Sequence, residues 1–145
     1  MMKTEITKGC ATTIAPNEEL KQIMTTLETT SDRKFEIAFN EVSEKVHQNS
    51  INKGFWEDRN KSSIGTITEK LCLMHSELSE ALEAVRIGNP MCDKIPEFKA
   101  IETELADCVI RIMEFSVAYN LRLAEAILAK HEYNTTRPYN HGKKF

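Results

Sequence analysis

The sequence predicts an all-α protein, an antiparallel bundle of about four core helices with a short N-terminal helical arm. Three observations lead there. Apolar residues recur at intervals of three and four through several long segments, which places them on one side of a helix. No segment alternates β-branched and polar residues as a half-buried strand does. Strong breakers, Gly54, the run Gly88-Asn89-Pro90 and Asn120, stand between the periodic segments rather than inside them.

Taken in order, residues 1–30 form an arm, irregular at first and then helical. Gly9 and Pro16 break its first half, and Asn17 is placed to cap a short helix over 17–30 whose first turn carries Glu18 and Glu19. Residues 31–145 form the helical domain proper. Ser31 or Asp32 caps its first helix, which runs to about Ser50 with Phe35, Ala38, Phe39, Val42 and Val46 on one stripe. Gly54 ends it, and the following loop carries Trp56, the single tryptophan of the chain, beside Phe55.

The central helix spans about 63–86. At roughly 100° per residue, Ile67, Leu71, Met74, Leu78, Leu82 and Val85 share one broad face, the expected core face. Gly88 accepts the left-handed conformation that ends a helix, and Pro90 cannot extend it. Pro96 suits the first turn of the next helix, expected to reach Asn120, with Ile101, Leu105, Val109 and Ile112 inward. A last helix over 121–134 turns Leu121, Ala124, Ile127 and Leu128 inward, and the polar, aromatic and basic tail after it has no periodicity.

Composition narrows the function classes. At 145 residues, with 41% apolar and 28% charged residues, the chain fits one globular domain rather than a disordered segment. A net charge of -3 argues against a nucleic-acid partner, for which a basic excess is the footprint. No stretch approaches the ~18 consecutive apolar residues of a membrane helix. The first fifteen residues lack a leader's apolar run, and Cys10, Cys72, Cys92 and Cys108 are scattered with no paired spacing, so the expectation is a cytoplasmic protein with reduced thiols. His47, His75, His131 and His141 read as structural or surface groups, with His141 nearest to an exception.

The chemistry concentrates in four acids. Glu77 and Glu80 form one pair three residues apart, and Glu104 and Asp107 form a second on the next helix. Side chains three apart stack on one face, so two such helices can set four carboxylates around one point of a bundle. Unneutralised, such a cluster repels itself and resists burial; a hard divalent cation removes both penalties. An all-oxygen donor set favours Mg²⁺, with Mn²⁺ as a substitute, over zinc. Glu77 and Glu80 lie at the edge of the apolar face, in the arc of Leu73 and Ala84, as a pair facing a crevice would. The competing reading is two solvated acidic faces, and it is stronger for the second pair, where Asp107 and Arg111 have ordinary ion-pair spacing.

The segments HSELSEALEAVR and ETELADCVIRI together resemble the ExxE…ExxD signature of the MazG-like, all-α nucleoside triphosphate pyrophosphohydrolases, and the ending KHEYNTTRPYNHGKKF is similar to the C-terminal extension of some small members. The resemblance covers about residues 35–145. It implies a homodimer or homotetramer that binds Mg²⁺ and cleaves a nucleoside triphosphate between its α and β phosphates. On the motif match, Glu77, Glu80, Glu104 and Asp107 are the expected metal ligands, with Glu80 the choice for orienting water. A triphosphate also needs cations and a base contact. Lys70, two turns before Glu77, and Lys130, Asn134 and Arg137 near the end of the chain are the candidates for phosphate, and Trp56 for stacking on a base. The alternative function is a non-catalytic helical oligomer that binds nucleotide or a protein partner.

Overall fold

The computed structural model describes residues 18–57 and 62–142. The expected cap Asn17, the start of the arm and Cys10 lie outside the described residues, as does the side chain of His141. The architecture is an all-α helical bundle. Its helices are α1 (Glu18–Asn52), α2 (Ile64–Arg86), α3 (Ala100–Ala118) and α4 (Leu123–Thr135), followed by one 3₁₀ turn, Tyr139–Gly142. Two compact units divide the chain, Met1–Arg33 and Lys34–Phe145, and the geometry below belongs to the second.

One helix, α1, replaces the two expected before Asn52. Thr29, Thr30, Ser31 and Asp32 are good caps but cost a helix interior only a few tenths of a kcal/mol each. Neither glycine nor proline occurs between Glu18 and Asn52, so nothing forces a break. Gly54 stops α1 as its sequence position predicts. At φ +80° it takes the left-handed conformation, and the amides of Gly54 and Phe55 turn back onto the carbonyls of Ile51 and Ser50 at 2.9 and 3.1 Å.

Helix α2 starts after Ser63 and ends as Gly88 and Asn89 turn left-handed, at φ +88° and +51°. Helix α3 starts at Ala100, four residues beyond Pro96. The loop before it is closed on itself by an antiparallel bridge between Met91 and Lys99. Side chains then cap α3: Asn89 Oδ1 accepts the Ile101 amide at 3.0 Å and the Glu102 carboxylate accepts the Lys99 amide at 2.8 Å. Asn120, at φ +50°, separates α3 from α4 as expected.

Helices α2 and α3 pack side by side and antiparallel: Lys70 near the start of α2 meets Glu114 near the end of α3, while Glu77 meets Arg111 and Met74 O lies 3.6 Å from Cys108 Sγ. The surface they share is small and polar. On α2 the buried residues are Thr66, Lys70, Glu77, Ala81 and Ala84. The face expected to be the core points elsewhere: Leu71, Leu78, Leu82 and Val85 are 46–61% exposed. Leu105 and Val109 on α3 and Phe35 and Val42 on α1 are exposed as well, and α1 buries Ser43, His47 and Ser50 instead. The physical reason is size: Ala81 and Ala84 let two backbones approach, whereas a leucine stripe needs a second apolar surface to receive it.

Candidate metal centre

The antiparallel pairing of α2 and α3 carries the two acidic motifs to one place. Glu77, Glu80 and Glu104 each offer a carboxylate oxygen, and these oxygens lie within 4.8 Å of one another. Glu77 is buried, Glu104 half-buried and Glu80 exposed, so the cluster opens to solvent on the Glu80 side. Asp107, one turn after Glu104, is exposed and stands outside this group of three. It is still near enough for its charge to be felt: the Glu104 carboxyl is pushed up from its ordinary value, first by burial and then by the charges of Glu80, Asp107 and Glu77, with Lys94 opposing weakly. Three oxygen donors at this separation, one with its ionised form disfavoured by its neighbours, fit a hard divalent cation.

The competing reading of the second pair has Arg111 at ion-pair spacing from Asp107 along α3. Arg111 reaches across to α2 instead, where its Nε donates to Glu77 Oε1 at 2.5 Å. Glu77, at 5% exposure, has lost its water and takes the stronger claim on the guanidinium, while exposed Asp107 remains hydrated.

The structure joins two of the expected substrate contacts, Lys70 and Trp56, in one buried group. The Lys70 ammonium lies 4.1 Å from the centroid of the Trp56 ring, 3.0 Å from Glu114 Oε1 and 3.4 Å from Phe55 O. Around it, the Trp56 ring is edge-on to His47 at 5.4 Å and to Tyr119 at 6.3 Å. Lys70 therefore already has a carboxylate partner in the chain. At the far end of α4, the Lys130 ammonium sits 4.7 Å from the Tyr133 ring, Asn134 is exposed and Arg137 is half-buried. Among the described residues, neither Lys130 nor Arg137 forms an ion pair with the carboxylate cluster.

Two residues escaped the sequence reading: Arg111 as the partner of Glu77, and Glu114 as the partner of Lys70. A signal was present. Lys70 and Glu77 are seven apart, as are Asp107 and Glu114, so once Glu77 is set near Asp107 in an antiparallel pair, Lys70 falls opposite Glu114.

Among the described residues, no helix is long and apolar enough to cross a membrane. Cys72, Cys92 and Cys108 are free thiols, Cys108 buried against α2. No protein-family model, curated protein or solved structure matches the chain.

Proposed function

We propose that the chain is a Mg²⁺-dependent nucleotide pyrophosphohydrolase, hydrolysing a nucleoside or deoxynucleoside triphosphate between its α and β phosphates. The observation that supports this most directly is the meeting of Glu77, Glu80 and Glu104 oxygens within 4.8 Å on two antiparallel helices. The paired ExxE and ExxD motifs that supply them are the basis of the resemblance to MazG-like enzymes. Glu77, Glu80 and Glu104 would hold Mg²⁺, which would supply charge to offset that of the phosphates and would make a bound water more acidic. The residues of the chain divide the remaining work. Glu77 and Glu104 hold the inner side of the cation site. Glu80, on the open side, orients the attacking water and accepts its proton. Asp107 completes the acidic wall. Water adds to phosphorus, the α–β anhydride bond breaks, and nucleoside monophosphate and pyrophosphate leave.

The same reading has the chain work as a homodimer or homotetramer. Its support is the row of exposed leucines and valines on α2 and α3, which a second copy would cover.

One observation favours the non-catalytic alternative: Arg111 already neutralises the buried Glu77 carboxylate without a metal. Pyrophosphate release from a panel of NTPs and dNTPs, with and without Mg²⁺, separates the two. The enzyme reading expects Mg²⁺-dependent release that Glu77→Gln and Asp107→Asn each abolish at unchanged helicity. Full turnover in either variant overturns the site, and no turnover on any substrate overturns the activity.

A further inference from the structure

Arg111 is the one cation that forms an ion pair with the carboxylate cluster among the described residues. Its Nε holds Glu77 Oε1 at 2.5 Å. Glu77 is almost fully buried, whereas the Arg111 side chain keeps 34% of its surface exposed. One partner is therefore fixed in the helix interface, and the other has solvent to move into. Asp107, one turn before Arg111 on the same helix, is exposed and offers the guanidinium an alternative partner at ordinary helical spacing.

We infer that Arg111 is the resident counter-ion of this cluster, and that a divalent cation loads the site by displacing Arg111 from Glu77. The guanidinium thereby sets the cation concentration at which the site fills. This rests on the metal-site reading above and adds a positioning residue to it. The argument is electrostatic. A buried carboxylate stripped of water needs a positive partner, and Arg111 supplies it when no metal is present. A metal on Glu77 must then compete with the charge-assisted hydrogen bond already made there and with the repulsion of a guanidinium a few ångströms away. Both effects weaken cation binding. After displacement the planar donor fork stands beside the cluster with its N–H groups freed, which is the geometry a phosphate oxygen accepts from.

The test is a Mn²⁺ titration of the full-length chain by calorimetry, with Arg111→Gln and Arg111→Lys beside the parent. Removing the competing charge tightens Mn²⁺ binding by about tenfold, within the range usual for coupled sites, and Arg111→Lys, which keeps the charge, stays close to the parent. The metal-free Arg111→Gln chain melts lower than the parent and gains more from Mn²⁺. Should that variant not fold without metal, the parent itself decides: the Arg111 Nε–H resonance in nitrogen-15 NMR loses its hydrogen-bonded shift when Mg²⁺ is added. Unchanged or weaker Mn²⁺ affinity in Arg111→Gln, or an Arg111 Nε–H signal unmoved at saturating Mg²⁺, overturns the role of Arg111 alone. A parent chain that binds no Mn²⁺ overturns the metal site as well.

Discussion

Lys70 on α2 and Glu114 on α3 form an ion pair inside the helix interface, Nζ to Oε1 at 3.0 Å, with both side chains about nine-tenths buried. The ammonium also lies on the face of Trp56, so a single cation ties α2, α3 and the turn after α1 together.

Removing one partner of this pair leaves the other charge buried and alone, which costs about 3–5 kcal/mol. Lys70→Met and Glu114→Gln are each expected to lower the urea midpoint by a corresponding amount, with little change in slope. The double replacement Lys70→Met with Glu114→Leu, which leaves no charge behind, is expected to recover most of the loss. If Lys70 instead serves chiefly as a phosphate ligand, Lys70→Met raises KM and leaves the urea midpoint where it was.

The exposed stripe of α2 makes a second prediction. Leu78 and Leu82 stand one turn apart, and both are largely open in the single chain. Each fully buried leucine contributes about 1.5–3 kcal/mol, and a symmetric interface uses every such residue twice. Leu78→Glu and Leu82→Glu are expected to shift the sedimentation coefficient to that of a smaller species, with a fall in melting temperature. A parent chain that sediments as a stable monomer would show that these side chains need no cover.

Asn89 has two tasks: its backbone takes φ +51° to end the turn after α2, and its side chain caps α3 by accepting the Ile101 amide. Asn89→Ala removes the cap and places an alanine in the left-handed region, a combined loss of about 1–3 kcal/mol. Asn89→Gly loses the cap but tolerates the backbone angle, so it is expected to fall between parent and alanine. Equal midpoints for glycine and alanine would mean that the angle costs nothing here.

These predictions show what the sequence made legible. Helix ends governed by a conformational requirement, at Gly54, Gly88 and Asn120, were readable because few residues accept a positive φ. The break expected near Ser31 is absent because a capping residue permits a helix end without demanding one. The acidic cluster was readable as a spacing, since an ExxE pair places its carboxylates on one face wherever the helix lies. The identity of the inward face was not readable. Periodicity assigns Leu71, Leu78 and Leu82 to an apolar face, but it does not distinguish the surface against α3 from a surface awaiting another chain. Arg111 was hidden for a related reason. Asp107 and Glu77 are both within a helical neighbourhood of it once the helices pair, and burial, which sequence does not carry, makes Glu77 the stronger partner.

The last prediction concerns Glu104, whose carboxyl is held above its ordinary value of 4.5 by burial and by Glu80, Asp107 and Glu77. A raised folded-state pKa means that the folded chain holds this proton more tightly than the unfolded chain. The associated stability is fully present below the ordinary value and is lost as pH rises through the raised one. Glu104→Gln carries no proton to lose, so the metal-free variant is expected to gain on the parent progressively across that window and to remain more stable at neutral pH. Urea midpoints of the two chains, measured in chelator from acid to neutral pH, give the difference for Glu104 together with the carboxylates coupled to it. Adding Mg²⁺ is expected to narrow the gap, because the parent offers the cation one more charged oxygen than the variant does. A gap that stays constant with pH would mean that Glu104 ionises as freely in the folded chain as in the unfolded one.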